Sequence, residues 1–375
     1  MKKIHLISIL ILLTALCACS SAESEKSTEK TETEGIYIDQ EVEKQEQETV
    51  AEADSSIAIS DKAVTVSYEG DLYIYDMAAA DDLIFLAGLN PDSGGYEIHR
   101  MEIEDTTSEK LPLEIPNDMM VQGMNVDREG KLHFFLTDTD RSVTRCEMWV
   151  SDQDGNLLKQ MDIRDTFLIE DSALIALSAF AIDGEGRYYI SGIRLAERSQ
   201  SGITILDGDG KKLGLVNSQD MTLWNRRTIA TGSDGRVFVA GYTADDDISV
   251  VSIDPEGLCI GERYADVLPT GYGDCSMMKA GVRADLFIYG ADGIYAYNLG
   301  EERGNKLVDK AEFPFSWEGT FCYDFLPDGR FLMIDGDVLM YQITINGQEY
   351  PVPGELYQDI TFYYVPVASK LAEGE

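Results

Sequence analysis

Short runs of alternating apolar and polar residues, each interrupted by a tight Asp/Gly turn, recur along most of this chain. "NVDREGKLHFFLTD" from Asn125, "FAIDGEGRYYISGI" from Phe180, "IATGSDGRVFVAGY" from Ile229 and "DFLPDGRFLMIDGD" from Asp324 share one plan of strand, turn, strand. Asp tolerates turn geometry and Gly supplies positive φ, so each stretch predicts a β-hairpin. The turn glycines are Gly130, Gly186, Gly235 and Gly329. "AADDLIFLAG" near Asp82 and "RADLFIYG" near Asp285 are weaker members, and the six turns lie about 49 residues apart on average.

A second turn series interleaves with the first: "VSDQDGNLLKQ", "ILDGDGKKLGL", "SIDPEGLCIGE", "NLGEERGNKLV" and "ITINGQEYPV". Its glycines, Gly155, Gly210, Gly257, Gly304 and Gly347, follow their partners by 18 to 25 residues. One repeat is therefore four antiparallel strands in about 45 to 50 residues, which is a propeller blade. "FLIEDSALIALSAFAI" mimics a helix, but the repeat places Ser178 to Ile182 in a strand. The expected fold is all-β, a β-propeller of six blades. "KAVTVSYEGDLYIYD" at the front and "LYQDITFYYVPVAS" at the back would complete the last blade together, or make a thin seventh. Closure removes the open edge that would otherwise invite aggregation.

The first residues, "MKKIHLISILILLTALCACSS", break this pattern. Lys2 and Lys3 precede an apolar run of signal-peptide length, too short to span a bilayer stably. Leu16-Cys17-Ala18-Cys19 resembles the bacterial lipobox, which implies a cut before Cys19 and a diacylglyceryl anchor on it. Cys17 is the poorer choice because bulky Leu16 precedes it. Two acyl chains supply the two signals that stable attachment needs. Residues 20–56 hold twelve Asp/Glu and three Lys, a net of −9, and their aromatic content is a lone Tyr37. Such a stretch buries too little apolar surface to offset its ordering entropy and reads as a disordered acidic tether. The expected division is signal peptide 1–18, lipidated Cys19 and linker to 56, propeller 57–368 and tail 369–375, displayed on the extracytoplasmic face of the cell membrane.

The whole chain of 375 residues carries a net charge of −38. Removing residues 1–18, which hold two lysines, takes this to −40. Such charge argues against nucleic acid and anionic lipid surfaces as partners and permits cations or neutral ligands. Beyond the leader, Cys146, Cys259, Cys275 and Cys322 form no CxxC or CxH pattern and read as buried thiols.

In a propeller the strand 1–2 and 3–4 turns share one face, and here they are short. The opposite face carries the long loops "NPDSGG", "DTDRSVT" and "RLAERSQS" and the blade connections "SQDMTLWNRR", "LPTGYGDC" and "PFSWEGT". Function concentrates in long loops on a rigid scaffold. Trp224, Tyr272 and Trp317 are therefore the candidate ligand-binding residues, with wedging between blades as their structural alternative. The turns "DGDG" and "DREG" lack EF-hand spacing. The Asp-box of sialidases, the TGxxxW of quinone-binding propellers, G-x-S-x-G and P-loops are missing. His99 and His133 form no cluster in sequence, no carboxylate pair stands out, and neither metal, cofactor nor catalytic residue is expected.

Lipobox, acidic tether and Asp/Gly propeller together resemble the amino-terminal propeller region of extracellular solute-binding lipoproteins of Gram-positive anaerobes. The ending "FYYVPVASKLAEGE" is similar to the joint that leads into their second domain. Seven residues follow Ala368, so α/β solute-binding lobes are not expected in this sequence. The resemblance implies association with solute uptake. The function expected is a non-catalytic recognition module, binding an oligosaccharide, a peptide, or an envelope or transport protein. The alternatives are an envelope scaffold and a propeller glycan hydrolase or lyase.

Overall fold

The computed structural model describes residues 63–138, 145–167, 175–194, 202–217, 225–232, 234–242, 248–264, 277–279, 286–290, 293–297, 305–309, 311, 320–326, 330–345 and 348–366. They form a six-bladed propeller. A short strand β1 (Val64–Ser67) leads into the first blade: β2 (Tyr73–Ala80), β3 (Leu83–Leu89), β4 (Tyr96–Glu102) and β5 (Glu109–Lys110). The second holds β6 (Met119–Val126), β7 (Leu132–Asp138), β8 (Cys146–Ser151) and β9 (Leu157–Asp162). A single helical turn, Arg164–Phe167, precedes the third: β10 (Ile175–Ile182), β11 (Tyr188–Arg194), β12 (Gly202–Leu206) and β13 (Lys212–Asn217). The fourth comprises β14 (Asn225–Thr231), β15 (Val237–Tyr242), β16 (Ile248–Asp254) and β17 (Cys259–Tyr264). The fifth comprises β18 (Met277–Lys279), β19 (Leu286–Gly290), β20 (Gly293–Tyr297) and β21 (Asn305–Asp309). The sixth is built from both ends of the chain. It consists of β22 (Thr320–Phe325), the first half of β23 (Arg330–Ile345), the second half of β24 (Gln348–Pro366) and β1 as its outermost strand.

The repeated turn explains why the hairpins form where the sequence places them. In D-R-E-G-K, D-Q-D-G-N, D-G-E-G-R and D-G-D-G-K, the leading Asp127, Asp152, Asp183 or Asp207 accepts two backbone N–H groups through Oδ1 at 2.8–3.0 Å. The glycine then takes φ near +80°, as at Gly130, Gly155, Gly186 and Gly210. A side chain there would be strained, whereas glycine is not. Gly257 departs from the plan, because Leu258 carries the positive φ of 50° instead. Gly347 lies outside the described residues, but the ladder on either side of it corrects the strand count. β23 and β24 pair out to Ile345 and Gln348, so this turn joins strands two and three of blade six, not three and four. The ladder beyond Asp337 and Gln358 is a two-stranded arm.

The innermost strands follow one another around the ring and close it, with β22 packed on β2. Polar side chains stitch them together. The Ala79 N–H donates to Asp324 and the Met124 N–H to Asp76, both at 2.8 Å. Asn125 Nδ2 donates to the Phe180 carbonyl at 2.9 Å and Thr231 Oγ1 to that of Ile182 at 2.5 Å. Apolar seams fill the space between blades. Phe85, Met119, Phe134 and Trp149 pack blade one on two, Met148, Phe180 and Tyr188 two on three, and Ile74, Met77, Leu332 and Phe362 six on one. Cys146 is buried as expected and burial raises its thiol pKa, but Cys259 is exposed on the outermost strand of blade four.

Candidate functional site

Trp224, Tyr272, Trp317 and Cys19 lie outside the described residues. What the fold does assemble is a hydrogen-bonded chain at the seam between blades six and one. Glu97 and His99 sit two apart on β4, so the pleat puts both on one face. Their Oε2 and Nε2 atoms are 3.0 Å apart. His99 Nδ1 lies 2.9 Å from Ser108 Oγ, just ahead of β5, and Ser108 Oγ lies 2.7 Å from the Tyr68 hydroxyl, just after β1. Lys110 Nζ at 2.8 Å and Asn90 Nδ2 at 3.2 Å also donate to Glu97. His99 and His133 stay apart with separate partners, and what the sequence did not show is that His99 joins groups from other segments. Two outer strands and the closing strand bring together groups that lie up to 40 residues apart.

The charge on Glu97 fixes the proton at one end of this chain. Burial alone would raise the Glu97 pKa, but hydrogen bonds from Lys110, His99 and Asn90 override it and lower it to about 2. An ionised carboxylate only accepts, so Nε2 of His99 carries the hydrogen. In the neutral imidazole Nδ1 presents a lone pair to which the Ser108 hydroxyl can donate. Tyr68 in turn donates to Ser108 Oγ. Its own pKa is raised, by burial first and by Asp71, so it stays a protonated donor. A base hydrogen-bonded to a hydroxyl nucleophile, an orienting carboxylate behind it and a further donor beside it are the parts of an acyl-transfer site.

Tyr68 also lines a polar cleft of about 380 Å³. Its walls come from Gly70 to Leu72 ahead of β2 and Tyr73 at its start, from Pro91 and Asp92 between β3 and β4, and from Gln358 to Ile360 on β24. These segments belong to the long-loop side of the ring, where blades six and one meet. Among the described residues, no group of three or more His, Cys, Asp or Glu side chains is arranged to hold a metal ion.

His133 heads a second relay, with Nε2 2.9 Å from Asp127 Oδ2 and Nδ1 3.0 Å from the Tyr188 hydroxyl. Its side chain is 7% exposed, and it joins blade two to blade three inside their apolar seam. It is not among the residues that line the cleft, and its hydrogen bonds bridge blade two to blade three. The sequence reading of His133 as a strand residue holds, on β7.

The ionised state of Glu97 has a measurable consequence. Its folded-state pKa lies below the usual 4.5, so the stabilisation is present above pH 4.5 and is lost as pH falls toward 2. Glu97→Gln is expected to cost about 1–3 kcal/mol at pH 7 and progressively less below pH 4.5. Urea unfolding of both proteins from pH 7 down to 3 measures the gap, and a gap independent of pH would contradict the assignment.

No protein-family model and no curated protein matches the chain. Solved structures do. A luciferin-regenerating enzyme aligns over 81% of this chain and 97% of its own at 10% identity, with a TM-score of 0.50. The Dos1 propeller aligns over 80% and 83% at 9% identity and a TM-score of 0.43. The PQQ-bound aldose sugar dehydrogenase of Streptomyces coelicolor aligns over 81% and 98% at 12% identity and a TM-score of 0.43. The chain is a β-propeller of four-stranded blades, and at these identities the likeness establishes the fold and no reaction.

The comparison does overturn one expectation. A non-catalytic module without enzyme activity was expected because no catalytic group stood out in sequence. A propeller of matching extent belongs to an enzyme, and a Ser–His–Glu relay is present here. The non-catalytic reading is therefore not carried forward.

Proposed function

We propose that this chain is a propeller hydrolase that cleaves an ester at the seam of blades six and one. The observation that carries the reading is the unbroken chain Tyr68–Ser108–His99–Glu97, which ends at a cleft. Ser108 Oγ attacks the ester carbonyl carbon as its proton passes to Nδ1 of His99. Glu97 stabilises the imidazolium through the Nε2–H. As Ser108 Oγ bonds to the carbonyl carbon, the Tyr68 hydroxyl turns from Oγ to the carbonyl oxygen on which negative charge develops. The bond from the carbonyl carbon to the leaving alcohol then breaks, and His99 returns the proton to that alcohol. Water, deprotonated by His99, attacks the acyl carbon, and the bond to Ser108 Oγ breaks as His99 returns the proton to that oxygen. The carboxylate here faces Nε2 and the serine Nδ1, the reverse of the arrangement in the Ser-His-Asp template, and the proton traffic balances equally well through either nitrogen.

A fluorophosphonate probe reads this directly, because it reacts with an activated serine. Incubation of the chain with the probe, followed by digestion and mass spectrometry, should place the adduct on Ser108, and His99→Asn should abolish it. An unlabelled Ser108 sinks the reading.

The same proposal places the enzyme outside the cell on a lipid anchor at Cys19, supported by "LCAC" and the acidic tether. Cys19→Ser should leave an unprocessed precursor and Cys17→Ser should not. A diacylglyceryl group found on Cys17, or on neither cysteine, excludes the assignment. The likeness to solute-binding lipoproteins would make the substrate a surface or nutrient ester.

A further inference from the structure

The loop between β3 and β4, which forms one wall of the cleft, is joined to the relay through the side chain of Asn90. β3 and β4 pair as far as Leu89 with Tyr96, and the loop begins at the next residue. Asn90 Oδ1 accepts the Asp92 N–H at 2.9 Å and the Ser93 N–H at 3.1 Å. Its backbone closes the loop as well: its N–H donates to the Gly95 carbonyl at 3.0 Å, and its carbonyl accepts the Gly94 N–H at 2.8 Å. Pro91 and Asp92 of this loop line the cleft. The other end of the same amide reaches the relay, with Nδ2 3.2 Å from Glu97 Oε2, the oxygen that also meets His99 Nε2. Two N–H groups demand an acceptor on one side of the amide, and an ionised carboxylate demands a donor on the other, so its orientation is fixed twice over. The residue type fits this double task. Asp254 accepts the N–H groups two and three residues ahead of it, as Asn90 does, and Asp127, Asp152, Asp183 and Asp207 cap their own turns. An Asp would serve the loop equally well at position 90 but would repel Glu97, and here the chain has Asn.

On the footing of the hydrolase reading, we propose that Asn90 is a positioning residue of this site: its oxygen fixes the cleft wall and its nitrogen fixes the carboxylate behind His99, so that substrate and base are held in one geometry. Glu97 is otherwise held by Lys110, whose side chain is 52% exposed, and by His99, which changes charge during the reaction. Asn90 supplies a neutral donor that stays in place while the proton moves. A misplacement of about 1 Å in such an arrangement costs about 10²-fold in rate. The titratable groups that face Glu97 are His99 on its own strand and Lys110 on β5, with Tyr68, from the segment after β1, reached through Ser108.

Asn90→Asp separates the two tasks. The introduced carboxylate still accepts both loop N–H groups but meets Glu97 as a like charge, so the pair shares one proton and titrates above about pH 5. With that proton bound the variant again donates to Glu97, and without it the tie is broken. For hydrolysis of p-nitrophenyl butyrate by the full chain, kcat of Asn90→Asp should be about a tenth of wild type or less at about pH 8. The ratio should recover toward one as pH falls through the midpoint of the pair, with KM within about twofold. Asn90→Ala loses the loop caps as well, so its KM should rise severalfold and its kcat should not recover at low pH. Carbon-13 NMR of the carboxyl groups reads the shared proton without turnover, as a titration above about pH 5 in Asn90→Asp that vanishes when Glu97→Gln is added. If wild type hydrolyses the ester but that titration is missing, or the kcat ratio is flat across pH, the inference is overturned and the hydrolase stands. The shared-proton titration without hydrolysis by wild type supports the tie between cleft wall and relay and sinks the hydrolase. Neither titration nor hydrolysis overturns both.

Discussion

Ser108→Ala is expected to lower ester hydrolysis by three orders of magnitude or more while leaving the β-sheet circular dichroism signal intact. The reason is that the hydroxyl has two partners with distinct tasks. His99 Nδ1 at 2.9 Å takes its proton, and Tyr68 at 2.7 Å donates to its oxygen. Removing the nucleophile removes the covalent route, and what survives is binding and electrostatic assistance. His99→Asn should cost as much as Ser108→Ala, and the double variant hardly more, because the residues act as a unit. Tyr68→Phe keeps the ring in the cleft and removes one donor, so a loss of about 10²–10³ in kcat with little change in KM is expected. A purely structural role would produce another pattern, a lowered melting temperature with turnover largely kept. Ser108→Ala retaining more than a tenth of wild-type kcat would refute the assignment, and labelling of Ser108→Cys by a thiol reagent, enhanced by His99, would support it.

Deleting Val64–Ser67 is the second change expected to have a large effect. β1 is the outermost strand of blade six and pairs Val64 with Tyr364 through Ser67 with Thr361. It therefore ties the beginning of the chain to its other end. Its loss removes four residues of ladder and the buried Val66, and it leaves β24 as an open edge. At about 0.5–1.5 kcal/mol for each of about four net hydrogen bonds and about 1.5–3 kcal/mol for the valine, the cost is about 4–9 kcal/mol. That corresponds to a fall in melting temperature of about 10–20 °C for a chain of this size, with concentration-dependent association through the exposed edge. Tyr68 follows β1 directly and its N–H donates to Ile360 at 2.8 Å. The deletion should therefore also disorganise the relay and reduce activity more than stability alone predicts. Thermal melts and light scattering measure the effect. A shift under about 3 °C without association would show that the ring closes by its inner strands alone.

The two outcomes separate layers of the same design. The ring is held by apolar seams and by the polar stitches between inner strands, such as Asp76 to the Met124 N–H. The relay sits on the outer strands, where blade six meets blade one, and it depends on closure because one of its members belongs to the closing segment. If the protein is tethered through Cys19, the tether runs into the strand that closes the ring.

The sequence by itself determined the blade. An Asp that accepts two N–H groups of its own turn, followed by a glycine at φ near +80°, is a local device. Its partners lie within four residues, and it repeats with a period that the eye can follow. Alternation of apolar positions then sets which faces meet in the seams. Closure by the two terminal stretches was legible for the same reason, since both read as strands with no partner nearby.

Only the tertiary structure decided the rest. Gly347 looked like one more outer turn, because a turn motif does not say which two strands it joins; pairing of Asp337 with Gln358 and onward to Ile345 with Gln348 makes β23 and β24 strands two and three of blade six. Glu97 and His99 at a spacing of two were on one strand face by simple geometry. Among 68 Asp and Glu residues that spacing carries no signal. What distinguishes this pair is that Ser108 and Tyr68 arrive from two other segments and that Lys110 and Asn90 hold the carboxylate ionised. Turns are written in neighbouring residues, whereas a relay across a seam depends on the register and closure of the whole ring.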